Sequence, residues 1–182
     1  MASAKRAVAL TNPIPGLSAF AYLWFIVSAV VCAVDATFVV MRPWSLTAAG
    51  QPWATWQHYA TFDKRYANMS DAWVVLQSYL NFAEIAIQLI VVLLGLLGRN
   101  GAAHRLAMVV STMTLWKTAI YFGMEYLEGS VYTKHNSMED LMLMFVVPSS
   151  FWVTVPLFLI SRSWSCLAKG EEILYERKPK SS

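Results

Sequence analysis

The chain has 182 residues, of which 57% are hydrophobic and 14% charged, and its net charge is +3. Soluble domains carry roughly 25% charged residues, so the composition excludes an ordinary soluble fold and predicts an integral membrane protein. Its positive balance comes from short flanks of apolar runs, which excludes a nucleic-acid-binding face.

Four apolar runs follow in chain order, at 18–41, 73–97, 106–126 and 141–160. Each reaches the roughly 20 residues a helix needs to cross a hydrocarbon core of about 30 Å. The first run is too long for the apolar part of a cleavable leader and has no small-x-small site close behind it, so it is expected to stay as an anchor. It carries Ser28, Cys32 and Asp35 at steps of four and three. Cys32 and Cys166 have neither metal-ligand spacing nor a disulfide framework and read as small apolar side chains.

The segment 42–72 that follows is rich in amphipathic rings: Trp44, Trp53, Trp56, Tyr59, Phe62 and Tyr66. Such rings favour the membrane–water boundary, so the loop is expected to lie across the mouth of the helices, as a lid or as an aromatic belt without a gating role. Asn68-Met69-Ser70 is a formal glycosylation acceptor, but its nearness to the next helix predicts that it stays unmodified.

In the second run Gln77, Asn81, Glu84 and Gln88 recur at steps of four, three and four, which places them on one helix face. In the third, Thr114, Lys117, Tyr121, Glu125 and Glu128 step by three, four, four and three. A charge at the bilayer centre costs ~2.5–3.5 kcal/mol on the insertion scale, so such residues face a bundle interior or a wet cavity. The expected fold is therefore all-α: a polytopic membrane four-helix bundle with a polar intramembrane cavity, one domain over 1–182.

Gln77, Asn81, Gln88 and Thr114 read first as interhelical hydrogen bonds, worth ~0.6–2 kcal/mol each. Asp35, Glu84 and Glu125 read as site residues, because neutral polar side chains would hold a bundle together more cheaply. Lys117 is a counter-ion to Glu84 or Glu125, or a substrate contact. Glu128 is expected to be solvated at a helix end. His58, His104 and His135 fall in the predicted loops and are expected to be interfacial or exposed.

With four spans, nine Lys and Arg residues lie on the side of the termini and four on the other. The positive-inside rule then puts both termini, the second-to-third connection and the tail 161–182 in the cytosol, and the loop 42–72 in the lumen. The chain ends Lys178-Pro179-Lys180-Ser181-Ser182. Lysines three and five places from the end match the KxKxx retrieval signal of endoplasmic reticulum membrane proteins, which is read from the cytosolic side.

These residues also carry a family resemblance. Trp56-Gln57-His58-Tyr59-Ala60 and Asp63-Lys64-Arg65-Tyr66 resemble the loop pattern of emopamil-binding-protein sterol isomerases, and Ala83-Glu84-Ile85-Ala86-Ile87-Gln88-Leu89 is similar to the second helix of the sigma-2 receptor. Tyr121-Phe122-Gly123-Met124-Glu125 resembles the isomerase stretch leading to a catalytic Glu, and Pro148 and Pro156 bracket Trp152 as in a proline-broken fourth helix. The chain thus resembles the EXPERA superfamily. The resemblance implies that Asp35 contacts a ligand's cationic centre, that Glu84 hydrogen-bonds to Asp35, that Glu125 is the third-helix carboxylate and that Trp152 faces a carbocation. The pattern departs at the first-helix His, where Val31-Cys32-Ala33-Val34 stands instead, and at the fourth-helix Asn, replaced by Ser149.

Shifting a double bond or closing a ring requires one acid to make a cation and one base to remove a proton. Asp35 and Glu84 are expected to divide those roles, with Glu125 as a third catalytic carboxylate. Trp116, Tyr121 and Trp152 would stabilise the cation through their ring faces, and Asn81, Lys117 and Ser149 would complete the substrate contacts. This chemistry requires no metal or cofactor. Two readings stay open: an isomerase or cyclase acting on a sterol- or terpenoid-like substrate, or a non-catalytic sigma-2-like lipid binder. The expected partners are a hydrophobic ligand and the membrane, with a homodimer left open.

Overall fold

The computed structural model describes residues 13–47 and 52–176, and all of its regular structure is helical. The elements are α1 (Ala19–Val40), a 3-10 turn at Trp44–Leu46, α2 (Ala54–Phe62), a second 3-10 turn at Lys64–Ala67, α3 (Ala72–Leu96), α4 (Asn100–Leu127), α5 (Met138–Asp140), a π-helical segment at Leu141–Val146 and α6 (Val147–Glu176). Side chains capable of capping set the starts: Ser18 accepts from the Ala21 amide at 3.2 Å and Asp71 from that of Val74 at 3.0 Å. Gly98 and Gly129, at φ +68° and +69°, follow the ends of α3 and α4, where the backbone turns left-handed.

Three helical segments are long and apolar enough to cross a membrane: α1, α3 and the continuous stretch Met138–Tyr175. The four-span expectation meets a difference at α4. Its 28 residues are sufficient in length, but it is not among the three, since Lys117 and the hydroxyl side chains of Ser111, Thr112, Thr114 and Thr118 dilute the apolar character of its middle. It also begins six residues before the expected 106, so His104 is not in a loop. His104 is buried on α4, with its ring nitrogens 3.1 Å from Ser163 Oγ and 3.0 Å from the Pro15 carbonyl.

The last helix differs too. It does not stop at 160 but runs on to Glu176, so the first part of the expected tail is helical; Lys178 and Lys180 lie outside the described residues.

α1 packs on α3, α3 on α4 and α4 on α6. Edge-to-face ring pairs, Phe20 with Phe158 and Trp24 with Trp152, join α1 to α6. Small residues bring the backbones close: Ala21, Ala29, Ala36, Ala103 and Ala107 are all buried. At Gly95 a Cβ would run into the Tyr22 hydroxyl.

The burial pattern is the reverse of a soluble protein's. Ser28, Ser78, Glu84, Gln88, Ser111 and Thr114 are at most 3% exposed, whereas Leu23, Val30, Leu80, Leu93 and Phe151 are over half exposed. An outer surface this apolar is matched by lipid and not by water.

The segment after α1 folds back over the helix ends. Phe38 and Val39 of α1, Trp53 and Ala60 around α2 and Val74 of α3 form one apolar cluster, with Trp56 and Tyr66 packed against it. Hydrogen bonds fasten this roof, with Arg42 donating to the carbonyls of Tyr66 and Asn68, both at 2.9 Å.

Candidate functional site

A pocket of about 280 Å³ lies beneath the roof. Its walls are Val31, Cys32 and Asp35 from α1, Gln77 and Asn81 from α3, Lys117, Thr118 and Tyr121 from α4, and Pro148, Ser149 and Trp152 from α6. Thr55, Trp56 and Tyr59 of α2, with Tyr66, close the top. The wall residues lie near the end of α1, the start of α3, the later half of α4 and the start of α6. Alternating chain direction therefore brings them to one level.

Two side chains of formal charge line this pocket, Asp35 and Lys117. The Trp56 indole donates to Asp35 Oδ1 at 3.0 Å, Asn81 Nδ2 lies 3.4 Å from Oδ2, and the Tyr66 hydroxyl also bonds the carboxylate. Lys117 Nζ donates to Asn81 Oδ1 at 2.8 Å and to Glu84 Oε2 at 2.7 Å. Asn81 thus links the carboxylate to the ammonium, using its carbonyl toward one and its amide toward the other.

Glu84 has a different place from the one expected. It pairs with Lys117, and not with Asp35, and it sits behind the pocket wall, 3% exposed. Thr114 Oγ1 donates to its Oε1 at 2.6 Å, and Gln88 Nε2, 3.3 Å from that oxygen, also reaches Ser28 Oγ at 3.2 Å. An excess buried charge on α4 needs a counter-ion, and Glu84 is one helix away at the same level.

Glu125 is not at the pocket either. It lies one turn beyond Tyr121, and its Oε1 accepts from the Thr133 amide at 3.0 Å and hydroxyl at 2.7 Å. Its Oε2 is 3.6 Å from the Arg65 guanidinium. Arg65 is 1% exposed and also meets Asp71 at 2.7 Å and Glu128, with the Tyr132 ring 4.2 Å from its centre. Glu128 is therefore paired, not simply solvated. Trp116, expected against the substrate, is 64% exposed on the outer face of α4, because it precedes Lys117 by one residue and a single step turns a helical side chain by about 100°.

Of the expected residues, the structure brings together Asp35, Asn81, Lys117, Tyr121, Ser149 and Trp152, with Glu84 directly behind them, and leaves out Glu125 and Trp116. Pro156 has no amide hydrogen, so it cannot donate to the Trp152 carbonyl one turn earlier, and α6 runs on through it with one backbone hydrogen bond fewer. The π-helical turn before α6 is a second local irregularity.

Trp56, Tyr59 and Tyr66 were legible as an amphipathic set and as part of the isomerase-like loop pattern, but not as partners of Asp35 or as the top of the pocket. Burial holds both phenols well above the usual tyrosine range, so they stay neutral hydrogen-bonding groups. The role of Arg65 had a weaker signal, its place between Asp63 and Asp71. Asp63 is fully buried, with Oδ1 accepting from the Arg65 amide and Oδ2 without a hydrogen-bond partner among the described residues; burial raises it from 3.8 to about 7. Among the described residues no group of three or more His, Cys, Asp and Glu could hold a metal ion.

No family model matches the chain, and no curated protein matches it.

Proposed function

We propose that α1, α3, α4 and α6 form a four-helix bundle across the endoplasmic reticulum membrane, with both termini cytosolic, and that the pocket binds a hydrophobic sterol- or terpenoid-like substrate and isomerises it by proton transfer. The observation that carries the reading is an accessible carboxylate, Asp35, held by Trp56, Tyr66 and Asn81 in a wall otherwise built mainly of apolar and aromatic side chains. One such group can fill both the base and the acid role expected of two carboxylates, since it takes a proton from one carbon and, so protonated, returns it to another. Ring closure asks more, because Glu84 and Glu125, which would have supplied the second acid, are engaged in ion pairs. The EXPERA resemblance supports a double-bond shift by proton transfer.

The test is expression in microsomes with sterol and terpenoid candidates, followed by chromatography and mass spectrometry for a product of unchanged mass. Asp35→Asn should abolish that product. A second reading, a non-catalytic binder, draws on the same single carboxylate, which is enough to hold an amphipathic ligand. It predicts saturable binding weakened by Asp35→Asn and no product with any candidate.

A further inference from the structure

Among the described residues, two hydrogen-bond donors on the α4 wall of the pocket have no acceptor for a remaining hydrogen. The Lys117 ammonium carries three hydrogens and places two, on Asn81 and Glu84. The Tyr121 hydroxyl is buried and has no hydrogen-bond partner among the described residues. Lys117 and Tyr121 are four residues apart on one helix, which stacks them on the same face, and both line the pocket. Glu84 and Asn81 hold the ammonium in place, and Phe145, at 5.7 Å between ring centroids, fixes the phenol.

We propose that Lys117 and Tyr121 form an acceptor site for a ligand oxygen, so that the natural ligand is a carbonyl compound and not a bare hydrocarbon or an amine. An ammonium in the wall opposes a neighbouring ligand cation and favours negative charge developing on oxygen. A buried donor without a partner is costly, and a ligand oxygen removes that cost where an apolar ligand leaves it.

This inference rests on the isomerase reading for its chemical consequence. Asp35 removes a proton from the carbon beside the carbonyl; the C–H pair becomes a C=C bond, and the carbonyl π pair moves to oxygen, where Lys117 and Tyr121 hold the resulting enolate. Asp35 then returns the same proton to the γ carbon, the enolate oxygen reforms its C=O bond, and a β,γ-unsaturated ketone has become its conjugated isomer. Atoms and electrons balance without a further reactant.

The experiment uses the full chain in detergent, titrated with naphthol and with naphthalene, which share a ring system and differ by one hydroxyl, a mimic of an enol oxygen. Tyr121→Phe deletes only an unpartnered hydroxyl and should weaken naphthol binding ~3–10-fold while leaving naphthalene unchanged. Lys117→Met is combined with Glu84→Gln, so that no unpaired carboxylate is buried, and should give the same selective loss. Equal effects on both probes, or none on either, would overturn the oxygen site. A β,γ-unsaturated cyclic ketone separates the two readings. Selective naphthol loss without conversion of the ketone upholds the oxygen site and removes the isomerase, whereas turnover of an oxygen-free substrate without probe selectivity removes the oxygen site and upholds the isomerase.

Discussion

Glu84 and Lys117 are unequal partners in one buried pair. The Lys117 side chain is 15% exposed toward the pocket and that of Glu84 only 3% exposed behind it. Removing one member of a buried pair typically costs ~3–5 kcal/mol, because the other is left uncompensated. Lys117→Met, which strands the deeper carboxylate, should therefore lower the thermal midpoint in detergent more than Glu84→Gln does, and the double variant should recover most of the loss. Equal, additive losses would show that the two charges do not depend on each other. Asp35 and Glu125 separate in the same way. Asp35→Asn keeps the size of the side chain and one acceptor oxygen but not proton exchange, and turnover should fall by the ~10²–10⁴-fold of lost acid–base catalysis. Glu125→Gln should leave turnover within a few-fold, because that carboxylate holds Thr133 and Arg65 and does not line the pocket; its effect should appear in thermal stability.

The roof is the element on which the site depends most. α2 and the following 3-10 turn contribute Trp56 and Tyr66 to Asp35, and Arg65 fastens that turn to Asp71 at the start of α3 and to the end of α4. Asp63 adds a pH dependence. Its carboxyl is raised from 3.8 to about 7 by burial, so the folded chain holds a proton that the unfolded chain has released over that interval. The stabilisation from this proton is complete below 3.8 and is lost as pH rises toward 7, so the roof should loosen across that window. Limited proteolysis of the 42–72 segment should quicken from pH 5 to pH 7.5, and Asp63→Asn, neutral throughout, should flatten the response. A variant that keeps the wild-type slope would assign the effect to another group.

At the scale of the molecule the apolar exterior and the polar seam together require a lipid surround, and the charge flanks propose its orientation. If the termini are cytosolic, single cysteines placed in the 42–72 segment of a Cys32→Ser/Cys166→Ser background should be labelled only after the lumenal face is opened, and cysteines near the C-terminus without opening it. If the tail is a retrieval signal, as proposed, a tagged protein should be held in the endoplasmic reticulum and should leave it when Lys178 and Lys180 are both changed to Ala. An unchanged distribution would show that the tail is not a retrieval signal.

The polar stripes were legible as stripes because helical spacing alone decides which residues share a face: Gln77, Asn81, Glu84 and Gln88 do point inward, as do Ser28 and Asp35. Length and apolarity likewise placed the four long helices within a few residues, except where a helix could continue in polar sequence. The starts at Asn100 and the end at Glu176 escaped because helix propensity does not change at the point where hydropathy does. Partner choice along each stripe was beyond the sequence. Spacing places Glu84 and Glu125 on polar faces, but only the relative heights of α3, α4 and the roof decide that one meets Lys117 and the other Arg65. A face is a property of one helix and follows from its own residues, whereas a pair depends on how two helices slide past one another and on a loop that folds over both.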